Sequence, residues 1–114
     1  MSVEVCVLAS GSAGNCTVVR TPAGTLLVDA GIGPRTAAQR LAGTGASIAE
    51  VAGICLTHLD HDHFNKNWLT SILSRGINVF CHESRVDDLV RVALGPRPSA
   101  DEVELMVEMM LPSV

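Results

Sequence analysis

A chain of 114 residues holds one domain at most, and if compact it buries roughly 65% of its unfolded surface, enough for a real core. Its composition is 47% hydrophobic but only 3% aromatic, so that core must be built from aliphatic side chains in packed sheet and helix layers. A net charge of −4 with eight scattered Lys and Arg residues gives no basic footprint for nucleic acid, and no apolar run approaches the ~20 residues that span a bilayer.

From Val3 to Leu8 the chain has the pattern of a first strand, and Ser10-Gly11-Ser12-Ala13-Gly14-Asn15 turns it into a second, Thr17 to Arg20. The Gly-rich run lacks a Lys and does not open a helix, so a hairpin connection is expected there rather than a phosphate cradle. Thr21-Pro22-Ala23-Gly24 returns the chain into a third strand, Thr25 to Val28, which completes an antiparallel meander. Pro34 suits the first turn of a helix running through Ala37, Ala38 and Leu41 to Gly43. Ser47-x-x-Glu50 has the form of a capping box for a short helix before a strand from Gly53 to Thr57.

Beyond residue 64, Trp68, Leu69, Ile72 and Leu73 are spaced as on one helix face, and Gly76 ends that helix. Ile77 to Cys81 is the last expected strand. Ser84-x-x-Asp87 introduces a helix through Leu89, Val90 and Ala93, closed by Gly95-Pro96. Residues 1–94 then form the domain, and residues 95–114 a linker with a C-terminal amphipathic helix carrying Val103, Met106, Val107, Met110 and Leu111. Cys6, Cys16, Cys55 and Cys81 stand singly, with no Cys-x-x-Cys spacing, which points to buried, reduced thiols. With an acidic start, Met1-Ser2-Val3-Glu4-Val5, where a signal peptide would be basic, the expected location is cytoplasmic, with no membrane partner.

The densest chemistry lies in Thr57-His58-Leu59-Asp60-His61-Asp62-His63-Phe64. A strand ending at Thr57 would project His58, Asp60 and Asp62 at alternate positions, with His63 pointing across to a second centre. Imidazole and carboxylate donors suit zinc, iron or manganese, so one short loop could serve one or two divalent ions. A polar surface turn is the alternative reading.

These residues resemble the signature of the metallo-β-lactamase superfamily, in which a strand ending in Thr-His is followed by His-x-His-x-Asp-His. Here the run is His58-x-Asp60-x-Asp62-His63, with Asp60 where the pattern has a second His. Leu26-Leu27-Val28-Asp29-Ala30-Gly31 is similar to the family's first motif. Ser10-Gly11-Ser12-Ala13-Gly14-Asn15 resembles the opening of its predicted phosphodiesterase and nuclease branch. The resemblance runs from Cys6 to about His82.

The resemblance implies an α/β (α+β) fold, the first half of a four-layer αββα sandwich, with a mixed, mainly antiparallel sheet and helices on one face. It implies His58, Asp60, Asp62 and His63 as metal ligands, Asp62 as the residue that also positions the nucleophile, and Asp29 as an orienting residue that accepts a histidine N–H. Zinc is the first expectation for the metal, with manganese or iron favoured by the added carboxylate charge of Asp60. His61 falls outside the pattern and is expected to face solvent or to support a ligand from behind, and His82 to be structural.

In the family a third His, a bridging Asp and a final His come from later sequence, whereas no histidine follows His82 here. The expectation is an incomplete half-domain of a metal-dependent hydrolase acting on a small-molecule or nucleic-acid phosphodiester or another ester-type bond. The alternative is a non-catalytic metal-binding or partner-binding fragment. An uncovered sheet face would also favour self-association.

Overall fold

The computed structural model describes residues 2–94. The expected linker and amphipathic helix, residues 95–114, lie outside the described residues. Five strands form one sheet in chain order: β1 (Glu4–Ala9), β2 (Cys16–Thr21), β3 (Gly24–Val28), β4 (Val51–Cys55) and β5 (Asn78–Phe80). The first three pair antiparallel through short turns, as the meander requires.

The remaining two pairings, β3 with β4 and β4 with β5, are parallel. The sheet is therefore mixed, and its antiparallel pairings are the longer ones, as expected. Each parallel pair needs a crossover, and α1 (Pro34–Gly43) and α2 (Trp68–Arg75) supply them. Both crossovers step the sheet in the same direction, so the right-handed rule places both helices on one face. A third helix, α3 (Val86–Leu94), follows β5.

Pro34 sits in the first turn of α1, where its missing N–H costs nothing. Gly76 ends α2 at φ 65°, the left-handed cap that glycine adopts without strain. Ser47 accepts the Ala49 N–H and caps a single 3-10 turn, Ile48–Glu50, which is the short helix expected there. Ahead of α3 the cap is His82, whose ring nitrogen accepts the Ser84 N–H, so Ser84 is the capped residue and not the cap.

Alternation along the strands sorts the two sheet faces. Val18, Leu27, Ile54 and Val79 are buried and form one cluster with Leu41 of α1, Trp68 and Ile72 of α2, and Leu89 of α3. Burying a Leu or Ile of this kind contributes about 1.5–3 kcal/mol before chain entropy is charged against it. Trp68 also donates its indole N–H to the Ile32 carbonyl at 2.7 Å, which fastens α2 to the segment before α1. On the opposite face Val5 and Val7 are more than 60% exposed and Leu26 is 37% exposed.

The topology decides where the chemistry collects. Strands β1, β3, β4 and β5 run in the same sense, so the loops leaving all four meet at one end of the sheet. These are residues 10–15, 29–33, 56–67 and 81–85.

Candidate metal centre

β3 delivers Asp29 to that end in a left-handed backbone conformation, φ 63°, which Asp tolerates better than most side chains. The conformation turns its carboxylate into the space beyond β4, where it is saturated. Oδ1 accepts the Thr57 N–H at 2.8 Å, and Oδ2 accepts the Thr57 hydroxyl at 2.7 Å. Oδ2 also lies 2.8 Å from Nδ1 of His63. Asp29 is buried, so these partners replace the water it has lost.

His63 is thereby held by one nitrogen and presents the other. Its Nε2 lies 3.6 Å from Oδ2 of Asp62, and its ring is tilted against that of His58 with centroids 4.9 Å apart. The hydrogen bond to Asp29 comes first among the influences that push the His63 pKa up. Partial burial works against it, and the charges of Asp29, Asp62 and Asp60 add to the rise.

β4 ends at Cys55, two residues before the expected limit, and residues 58–62 are not extended. The Asp60 carbonyl instead accepts the N–H groups of His63 and Phe64, both at 2.9 Å, and closes a turn. His58, Asp60 and Asp62 therefore do not project at alternate strand positions. The turn carries Asp62 and His63 inward toward Asp29 and leaves Asp60 exposed with His58 and Leu59 on the wall of a neighbouring cavity. His61 is exposed, as expected.

Two loops lock this turn in place. The Asn15 side chain donates to the Gly11 carbonyl at 2.9 Å, the Asp62 carbonyl at 3.1 Å and the Asp62 carboxylate at 3.4 Å. Its backbone N–H reaches the Asp62 carbonyl at 2.7 Å, and its carbonyl accepts from Gly31 at 2.8 Å. A Cβ on Gly31 would run into the Asp62 carbonyl and come within 2.6 Å of the Asn15 nitrogen, so this crossing admits only glycine. Ala30 completes the frame by donating to the His63 carbonyl and accepting from Asn65, both at 2.7 Å.

The family model described as the metallo-beta-lactamase superfamily matches residues 9–69, more than half of the chain. The chain belongs to that superfamily. Among solved structures, human tRNase Z, short form, is similar at 22% identity with a TM-score of 0.53, over 76% of this chain and 38% of its own. The metallo-beta-lactamase fold protein YhfI from Bacillus subtilis is similar at 19% identity with a TM-score of 0.49, over 75% of this chain and 40% of its own. Matched regions thus cover about two-fifths of either neighbour. No curated protein sequence matches the chain.

The donors of this superfamily member fit part of a metal centre. Bonds of about 2.0–2.2 Å in a tetrahedral shell put neighbouring donor atoms roughly 3.3–3.6 Å apart. The separation of His63 Nε2 from Asp62 Oδ2, 3.6 Å, is close to one such edge. Among the described residues, however, no three His, Cys, Asp or Glu side chains are grouped closely enough to enclose an ion. Asn15, Thr57 and Gly31 are the contributors that sequence reasoning missed. In the sequence Thr57 marks only the end of a strand, and the Gly-rich loop only a hairpin and a family resemblance with no bracing role.

Proposed function

We propose that the chain carries one set of metal ligands of a divalent-metal-dependent hydrolase of the superfamily, acting on phosphodiesters. The observation that supports this most directly is the relay from Asp29 to His63 Nδ1, which leaves His63 Nε2 facing the Asp62 carboxylate. A carboxylate behind an imidazole fixes the tautomer and raises the basicity of the outer nitrogen, an arrangement that serves a ligand histidine.

On this reading His58, Asp60, Asp62 and His63 hold one or two ions. The chemistry a bound divalent ion supplies is acidification of water near neutrality and polarisation of the ester linkage. Asp29 keeps the proton on Nδ1 of His63, and Thr57 keeps both Asp29 oxygens occupied so that the carboxylate cannot swing away. Asp62, braced by Asn15, presents a carboxylate oxygen that orients the attacking water. Asp60 adds a hard, anionic donor, so manganese or iron competes with zinc.

Four free thiols fit a reducing, cytoplasmic setting, and no described helix is long and apolar enough to cross a membrane. A second reading, a non-catalytic fragment that binds metal or a partner, draws support from the lack of a three-donor group among the described residues and from the exposed valines of β1. Counting metal separates the two. The chain loaded with zinc or manganese is expected to retain metal after dialysis and to hydrolyse bis(p-nitrophenyl) phosphate. Retention without turnover supports the second reading, and loss of metal overturns the first.

A further inference from the structure

The cavity beside the His/Asp loop, about 440 Å³, has His58, Leu59 and Asp60 on one side and Arg85, Asp88 and Arg91 on the other. Arg85, Asp88 and Arg91 follow one another at intervals of three across the turn after β5 and into α3, a spacing that aligns them on one helix face. The Asp88 carboxylate stands between the two cations. Oδ2 accepts from Arg85 Nη1 at 3.3 Å, and Oδ1 accepts from Arg91 Nη2.

Exposed ion pairs of this kind contribute little to stability, so the fold alone does not account for two arginines on one carboxylate. The trio carries a net charge of +1, faced across the cavity by the Asp60 carboxylate, which the proposed reading commits to a metal. Each guanidinium has five N–H donors and spends one on Asp88, and both side chains are about two-thirds exposed. Asp88 thus holds two planar donor forks at the rim of a cavity whose opposite rim carries His58 and Asp60. The even scatter of cations along the sequence hides this pairing.

We propose that Arg85 and Arg91 form a phosphate subsite that takes a phosphate adjacent to the scissile linkage of a single-stranded nucleic acid. Guanidinium forks match phosphate oxygens in a bidentate manner that a lysine cannot reproduce. A small phosphodiester has no neighbouring phosphate to place there, so the subsite selects a polymer. What it flanks rests on the phosphodiesterase reading, but the binding itself does not, because it needs no metal.

The test is fluorescence anisotropy of a short single-stranded RNA with the full chain in EDTA, across a salt series, beside the same strand carrying neutral methylphosphonate linkages. Wild type is expected to bind the RNA and not the neutral strand. R85A/R91A is expected to lose most of that binding, with the slope of log K against log salt flattening by about 1.4, two contacts at about 0.7 each. R75A, at the exposed end of α2, keeps the wild-type affinity. Both arginines are exposed, so circular dichroism is expected to be unchanged. Wild-type affinity in R85A/R91A, or equal affinity of wild type for charged and neutral strands, overturns the subsite. A chain that hydrolyses bis(p-nitrophenyl) phosphate with either of those results loses the subsite alone. A chain that takes up no metal yet needs both arginines for RNA loses the hydrolase reading alone.

Discussion

The Asp29 carboxylate and the His63 imidazole are 2.8 Å apart across 34 residues of sequence, and this contact joins the end of β3 to the turn after β4. It raises the His63 pKa in the folded chain. Protonated His63 therefore contributes stability in full below the unfolded value of about 6.5, and that contribution is lost as pH rises through the folded pKa. An NMR titration of metal-free protein is expected to place the His63 midpoint above the ordinary histidine value of about 6.5, and D29N should bring it down. Equal midpoints in wild type and D29N would show that the contact is not made in solution.

For metal uptake, H63A and H58A are expected to abolish retention of zinc or manganese, while H61A changes little. His63 and His58 have adjoining rings, whereas His61 points outward. Equal loss in all three variants, counted by mass spectrometry of the eluted metal, would mean that the ligand register is shifted.

Asn15 lies outside the His/Asp loop but braces it. N15A removes three side-chain donations and leaves the Gly11 and Asp62 acceptors to water, at a cost of about 1–3 kcal/mol in urea unfolding. On the proposed reading it also lowers metal affinity by about 10–100-fold, the usual consequence of losing an outer brace. N15D, which sets a carboxylate against Asp62, should weaken metal binding further than N15A.

At Gly31 the expected effect is on folding itself. G31A forces a methyl into the Asp62 carbonyl and the Asn15 nitrogen, both backbone atoms, and neither can yield without moving a loop. A loss of about 1–3 kcal/mol or more follows, measured as a shift in the urea midpoint. An unchanged midpoint would mean that the two loops do not cross there.

The thiols should divide by exposure. Cys6, on the edge strand β1, is exposed rather than buried as its apolar run suggests, while Cys16 is buried and its pKa is pushed up to about 12 by desolvation, with the Asp29 charge adding to the rise. Burial also raises Cys55 and Cys81. With Ellman's reagent at neutral pH one fast thiol is expected, lost in C6S, and the other three should react only on unfolding.

Local signals made much of the fold legible. Pro34 and Gly43 bounded α1, Gly76 marked the end of α2, and the turn at Pro22 to Gly24 joined β2 to β3 as written. The parallel half of the sheet was not legible, because pairing partners separated by a helix leave no local trace. At the site, the motif spacing singled out Asp29, Asp62 and His63, which the fold brings together. It gave the wrong reason for their placement. Strand alternation was assumed where the Asp60 carbonyl closes a turn, and the bracing by Asn15, Thr57 and Gly31 depends on contacts between loops that no single segment contains.

The stitching of Ala30 to His63 and Asn65, and of Asn15 to Asp62, ties the donor turn to the loops that leave β3 and β1 before anything occupies it. On the proposed reading an arriving cation would find the Asp62 and His63 side of its seat already held, with little of that turn left to freeze. Capture should accordingly be quick and leave the far-ultraviolet spectrum almost untouched, its pace set by how readily the ion sheds its own hydration water.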